Sequence, residues 1–93
     1  MRAEVNGIEL AYRDEGDGHP IILVHGLGNS LDIWEGVSRS LTSIFRVIRY
    51  DLRGSGESDI PAGPYRPHEW TADLSGLLAC LGLERAHILG HSL

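Results

Sequence analysis

Three short apolar segments of this 93-residue chain are each followed at once by a turn or loop rich in glycine. The segments and their turns are Ile21 to Val24 before 25–28, Arg46 to Tyr50 before 51–63, and Ala86 to Leu89 before 90–93. Runs that are apolar on both faces are typical of buried strands, and open α/β sheets place their ligands at the carboxyl ends of such strands. The pattern predicts an α/β fold whose functional groups lie in three turns at one edge of a sheet.

The remaining segments predict a hairpin and two helices. Asn6-Gly7 between alternating apolar residues predicts a β-hairpin, because this dipeptide takes the positive φ angles of a type I′ turn. Residues 14–19 are polar and rich in glycine, which predicts a loop. Ser30 predicts the N-cap of a helix over about 31–42, and Pro67 predicts the first turn of a second helix. Strands and helices therefore alternate along a single partial domain, residues 1–93.

Composition excludes several classes of protein. Thirteen acidic and eight basic residues give a formal net charge of -5, the wrong sign for binding nucleic acid or an anionic membrane. The single Cys80 can form neither an internal disulfide nor a cysteine-pair metal site, which fits a reducing compartment. The aliphatic run Ile21 to Val24 is far below the roughly 20 residues that span a bilayer. We expect a cytoplasmic protein with no metal, no cofactor, and no nucleic-acid or membrane partner.

The three turns carry specific residue patterns. They read H-G-x-G at 25–28, D-x-R-G-x-G-x-S-D at 51–59, and G-H-S-L at 90–93, the last being four of the five positions of G-x-S-x-G. In that motif the glycines permit a cramped turn between strand and helix, which projects the serine hydroxyl. In this order and spacing, the patterns resemble the N-terminal half of the α/β-hydrolase family, nearest its branch of 3-oxoadipate enol-lactonases, non-haem haloperoxidases and esterases.

The resemblance implies a fold and a chemistry. It implies an antiparallel hairpin followed by parallel strands, in the order 1-2-4-3-5, with helices on both faces of the sheet and three further strands after residue 93. It also implies that Ser92 is the nucleophile, and that the backbone N–H groups of Leu27 and Leu93 form the oxyanion hole. The family's acid and histidine follow the serine in chain order, so they are expected beyond residue 93.

Other residues in the turns have structural interpretations. We expect Gly26, Gly28 and Gly90 to permit the tight turns. We expect His25 to shape the oxyanion turn through a hydrogen bond, not to act as a base. His91 is adjacent to Ser92 and cannot reach back to the serine hydroxyl as a base.

Three more residues could be mistaken for functional groups. Asp51 precedes the serine, so we expect it to brace its loop by pairing with Arg53 instead of serving as the catalytic acid. Trp34 lies on the apolar face of the first helix and is expected in the core. Cys80 has no basic neighbour in sequence, so we expect a small buried residue or an unreactive thiol at the helix edge.

Two functions from different classes remain open at this stage. The first is a serine hydrolase of esters or lactones that works through an acyl-enzyme on Ser92 and is active only with a C-terminal half, either continuous with this chain or a separate partner chain. The second is a non-catalytic ligand-binding relative that keeps the fold, or an inactive fragment. The sequence does not identify the substrate, because in the family the cap and much of the acyl pocket come from later segments.

Overall fold

Strands and helices alternate along the chain, as the hydropathy pattern predicts. The computed structural model describes residues 1–63 and 65–91, so Pro64, Ser92 and Leu93 lie outside the described residues. The elements are β1 (Arg2–Val5), β2 (Ile8–Glu15), β3 (His19–Val24), a 3-10 turn (Leu31–Trp34), α1 (Glu35–Leu41), β4 (Phe45–Tyr50), α2 (Pro67–Cys80) and β5 (His87–Gly90).

The strands form one mixed sheet in the order β1-β2-β4-β3-β5. β2 is antiparallel to both β1 and β4, whereas β3 is parallel to both β4 and β5. The hairpin turn between β1 and β2 has φ 51° at Asn6 and 82° at Gly7, the positive values expected of this dipeptide. The strand order implied by the family resemblance is confirmed.

Strand β2 is longer than the sequence predicts. Asp14 and Glu15 were expected in a loop, but they pair with Ile48 and Val47 of β4, so this part of the prediction is wrong. The guanidinium of Arg46 binds both carboxylate oxygens of Asp14, at 2.9 and 2.6 Å. A bidentate pair of this kind satisfies the charge, so a polar residue can continue the strand.

Both predicted helices form, with a change at the start of the first. Residues 31–34 take a 3-10 turn before α1, and the Ser30 hydroxyl accepts a hydrogen bond from the Asp32 N–H at 3.3 Å, as expected of an N-cap. Pro67 is the first residue of α2. Among the described residues, no helix combines the length and apolar character that a membrane span requires.

Two apolar clusters lie on opposite faces of the sheet. On one face, Ile22 and Ile48 pack with Leu77 of α2. On the other, Leu23 and Val47 pack with Trp34, which is buried as predicted. Because successive side chains of a strand point to opposite faces, the alternation along β3 and β4 places α1 and α2 on opposite sides. The α/β fold with helices on both faces is therefore confirmed.

Candidate active site

The three predicted turns meet at one edge of the sheet. Val24, the last residue of β3, is the register partner of both Tyr50 at the end of β4 and Gly90 at the end of β5. The pairing continues one residue further, because the His91 N–H donates to the Val24 carbonyl at 3.1 Å. We call this the carboxyl edge of the sheet. The proposed nucleophile Ser92 and the proposed donor Leu93 follow directly in sequence, outside the described residues.

A tight turn leaves β3 at this edge. The Asn29 N–H donates to the Gly26 carbonyl at 3.2 Å, and Gly28 has φ 81°. A hydrogen bond across four residues with a positive φ at the third is typical of a type II β-turn, which favours glycine there. Leu27 is the second residue of the turn, where the N–H points away from the closing hydrogen bond. The conformational need for glycine is therefore at Gly28, whereas Gly90 lies in strand β5.

His25 is a fully buried hydrogen-bonding residue of this turn. Its Nε2 accepts from the Leu52 N–H at 3.0 Å, and its Nδ1 lies 2.7 Å from the Gly26 carbonyl oxygen. A backbone N–H can only donate, so Nε2 carries no proton and the neutral ring donates through Nδ1. Both ring nitrogens are thus occupied by backbone groups.

These contacts orient the N–H of Leu27. The Gly26 carbonyl receives two hydrogen bonds, from His25 and from Asn29. That carbonyl and the Leu27 N–H belong to the same planar peptide group and point in opposite directions. Within residues 1–63 and 65–91, no hydrogen bond uses the Leu27 N–H. The turn therefore presents a fixed N–H group that can donate a hydrogen bond to an oxygen on which negative charge develops.

Asp51 has different hydrogen-bond partners from the one that the sequence predicts. Its carboxylate accepts the Leu31 N–H at 2.7 Å through Oδ1 and the Glu57 N–H at 2.9 Å through Oδ2. The expected pairing with Arg53 is wrong, because the Arg53 guanidinium binds Asp73 and Glu69 instead. Asp51 therefore joins the loop after β3 to the loop after β4.

Arg53 instead anchors the second loop to α2. Its Nε and Nη2 bind the Asp73 carboxylate at 2.6 and 2.8 Å, and its Nη1 binds Glu69 at 3.1 Å. Hydrogen bonding to Asp73 raises the pKa of Arg53, and the charges of Asp73 and Glu69 act in the same direction against the cost of burial. Asn6 donates to the same Asp73 carboxylate at 3.1 Å. Nothing in the sequence pattern indicated that Asp73, 20 residues further along, is the partner.

The loop over 51–59 also lies along β2, through residues that sequence reasoning did not single out. Ser58 Oγ accepts from the Ala11 N–H at 2.8 Å and donates to the Asp51 carbonyl at 2.6 Å. The Asp59 carboxylate accepts from the Glu9 N–H at 2.9 Å, and the Asp59 N–H donates to the Glu9 carbonyl at 2.9 Å. The signal was present, because both residues end the D-x-R-G-x-G-x-S-D pattern.

A cavity of about 300 Å³ opens beside this loop. Its lining residues include Tyr12, Ser30, Asp51 and Glu57. Leu27 and Gly90 are not among the described residues that line it.

Comparison with known proteins supports the same family. Residues 19–93 match the family model described as alpha/beta hydrolase fold. The crystal structure of the enol-lactonase from Burkholderia xenovorans LB400 superposes with a TM-score of 0.93 at 40% identity, over 97% of this chain and 36% of that chain. A putative non-heme chloroperoxidase of Synechocystis sp. is 39% identical over 92% of this chain and 32% of its own length.

A third relative is named for a different reaction. The soluble epoxide hydrolase of Corynebacterium sp. is 33% identical over 97% of this chain and 32% of its own length. The chain thus spans about a quarter to a third of the length of the curated relatives it matches. The sheet order, the turn at the end of β3 and the family match agree, and the chain belongs to the α/β-hydrolase fold family.

Proposed function

We propose that this chain is the N-terminal part of a serine hydrolase that cleaves a carboxylic ester or lactone. The observation that carries the proposal is the Leu27 N–H, fixed by its turn and without a partner among the described residues, at the same edge where β5 leads to Ser92. The likeness to an enol-lactonase supports a lactone or ester substrate. The matches to an epoxide hydrolase and a chloroperoxidase make the reaction class the first point to test.

The proposed reaction proceeds in two steps. The Ser92 hydroxyl attacks the substrate carbonyl while a histidine from the segment after residue 93 takes its proton, and the Leu27 and Leu93 N–H groups stabilise the negative oxygen of the tetrahedral intermediate. Collapse of that intermediate breaks the ester bond, and the histidine returns the proton to the leaving alkoxide. Water then attacks the acyl-enzyme in the same manner, which releases the acid and restores the Ser92 hydroxyl.

The proposal also covers the domain, the place where the substrate binds and the cellular location. We take residues 1–93 as part of one α/β-hydrolase domain, completed by a C-terminal half in the same polypeptide or on a separate chain. The small-molecule substrate would bind in front of the Leu27 N–H, between the two halves. A cytoplasmic location fits a chain with one cysteine, which is exposed on α2.

A fluorophosphonate probe tests the nucleophile in the polypeptide that includes the C-terminal half. Such probes react with an activated serine, so we expect covalent labelling that Ser92→Ala abolishes. The matched control is Ser55→Ala, in the loop after β4, which should leave labelling intact. Ser92→Ala should also abolish hydrolysis of a p-nitrophenyl ester and of a γ-lactone. A wild type that is never labelled would instead favour the non-catalytic relative, and labelling that survives Ser92→Ala would move the nucleophile elsewhere.

A further inference from the structure

Two consecutive residues at the end of β4 hold both ends of the turn that presents the Leu27 N–H. The Leu52 N–H binds His25 Nε2 at 3.0 Å, where the turn begins. The Asp51 carboxylate binds the Leu31 N–H at 2.7 Å, where the turn passes into the 3-10 helix. The segment between these two points contains five residues, 26–30, and includes the proposed oxyanion donor.

Asp51 is itself held rigidly. Its N–H donates to the Ala11 carbonyl at 2.9 Å, and its own carbonyl accepts from Ser58 Oγ at 2.6 Å. Its second carboxylate oxygen accepts the Glu57 N–H at 2.9 Å, and only 3% of the residue is exposed. Gly56 has φ 52°, and a Cβ there would collide with the Asp51 carboxylate. The loop thus leaves room for this carboxylate and fixes its direction.

Fixing both ends matters because an oxyanion donor works only in a narrow geometry. Sites of this kind need their groups held within about 0.5 Å and 10–20° of the productive arrangement. If the Leu31 end is released, the five-residue segment gains freedom and the Gly26–Leu27 peptide can rotate away from the reacting oxygen. A displacement of about 1 Å costs up to 100-fold in rate.

We propose that Asp51 is a positioning residue of the oxyanion hole, acting on the Leu27 N–H through its hydrogen bond to the Leu31 N–H. This inference rests on the proposed function and adds a second anchor to the one His25 supplies. Asp51 does not touch the reacting atoms in this scheme. Its loss should therefore lower kcat, because the transition state depends on the donor's alignment, while KM changes little.

Asp51→Asn is the direct test, with Asp59→Asn as the matched control. Asparagine keeps the size of the side chain but offers one oxygen, so one of the two N–H donors loses its acceptor. Asp59 lies in the same loop and its carboxylate also accepts a backbone N–H, but that N–H belongs to Glu9 of β2. We expect kcat for ester hydrolysis to fall about 10- to 100-fold in Asp51→Asn, with KM within about twofold, and to stay within about twofold in Asp59→Asn.

Hydrogen exchange and a second variant, at Leu31, test the same hydrogen bond in other ways. Hydrogen exchange should accelerate in a peptide covering residues 26–31 of Asp51→Asn but not of Asp59→Asn, whether or not the protein hydrolyses esters. If Asp51→Asn does not fold, Leu31→Pro removes the same bond from the donor side, since proline lacks the N–H and is tolerated at a first helical position. Leu31→Ala, which keeps the N–H, is its control, and we expect Leu31→Pro to be at least tenfold slower.

The outcomes separate the two proposals. A wild type that neither hydrolyses esters nor reacts with the probe overturns the proposed function, and exchange in 26–31 then decides whether Asp51 holds the turn. An active wild type with unchanged kcat in Asp51→Asn overturns the positioning role. So does an equal loss of kcat in Asp59→Asn, because the effect would then belong to the loop as a whole.

Discussion

Strands β4 and β5 flank β3 in the same parallel orientation, yet their burial differs. Ile48 of β4 and Ile88 of β5 are both register partners of Ile22. Ile48 is 0% exposed, because β2 pairs with its strand on the other side and α2 lies on the cluster it joins, whereas Ile88 is 54% exposed. The same residue type at equivalent positions is core in one strand and surface in the other.

The difference in burial between β4 and β5 is more marked at the next register position, because there the buried side chain is a charged one. Arg49 of β4 and Leu89 of β5 both pair with Leu23, yet the arginine is 3% exposed and the leucine 43%. Glu35 binds Arg49 at 2.7 Å, and the Leu31 carbonyl accepts from its Nη1 at 3.3 Å. Charge partners thus permit burial of the arginine. Strand β4 is therefore covered by contacts within this chain, whereas β5, which leads to the proposed nucleophile, still exposes apolar side chains.

The first prediction concerns the exposed strand β5 in a polypeptide without the C-terminal half. A polypeptide limited to residues 1–93 should show no Ser92 labelling, because no downstream histidine is present to take the proton. It should also aggregate, because β5 offers an unpaired edge with exposed Ile88 and Leu89. Adding the C-terminal half should restore both solubility and labelling. A soluble monomer that melts cooperatively, seen by size-exclusion chromatography and a thermal scan, would contradict this prediction.

The second prediction concerns the anchor on the β4 side, measured in the polypeptide with the C-terminal half. Arg53→Ala leaves the Asp73 carboxylate, 1% exposed, without its main cation. Removing one partner of a buried ion pair costs about 3–5 kcal/mol. The control is Arg39→Ala, whose exposed pair with Glu35 on α1 contributes about 0.3–0.5 kcal/mol. Equal changes in the free energy of denaturant unfolding would show that the Arg53 pair is not a special anchor.

The third prediction concerns the two isoleucines, Ile48 and Ile88. In the polypeptide with the C-terminal half, Ile48→Ala should cost about 2–5 kcal/mol of unfolding free energy, as expected for a buried isoleucine. If that half covers β5, Ile88→Ala should cost a similar amount. Chemical denaturation of both variants measures this. A change within about 0.5 kcal/mol for Ile88→Ala would show that β5 stays exposed and that the proposed domain is incomplete.

The fourth prediction is a pH dependence of stability that arises from Glu35, the first residue of α1. Hydrogen bonding to Arg49, and then to Arg39, lowers the pKa of Glu35 below its ordinary value of 4.5. A lowered folded-state pKa contributes stability above the unfolded value, and this stability is lost as the pH falls through the folded value. The Tm of wild type should therefore exceed that of Glu35→Gln at pH 7, and the difference should shrink below about pH 4.5. Glu4→Gln is the control variant. A difference in Tm between wild type and Glu35→Gln that does not change with pH would contradict the prediction.

Much of the fold follows from local patterns. The Asn6-Gly7 turn, the Ser30 cap and the start of α2 at Pro67 depend on residues close in sequence, so the chain alone predicts them. The loop expected over 14–19 is shorter than predicted and covers 16–18, because β3 begins at His19 and β2 continues through Glu15. Arg46, on another strand, pairs with Asp14 in that extension of β2. From sequence alone a polar segment is predicted to be a loop, because the long-range partner that allows it to form a strand is not visible there.

The candidate site divides in the same way. The motifs predict which turns carry the chemistry, and the parallel register of β3, β4 and β5 brings those turns to one edge. The contact between Asp51 and Leu31 joins residues 20 positions apart, and the one between Arg53 and Asp73 does the same. Sequence reasoning proposed a pair between neighbours, Asp51 and Arg53, because only short separations are visible in a motif.

Local sequence patterns therefore predict the central strands, the caps and the family motifs, since each depends on the conformational preferences of a few adjacent residues. Only the tertiary structure decided that Arg49 is buried, that Leu89 is exposed and that Asp51 holds the Leu31 N–H. The physical reason is that burial and hydrogen-bond partnership depend on which distant segments lie alongside. Two residues of the same type then differ because their neighbours in space differ.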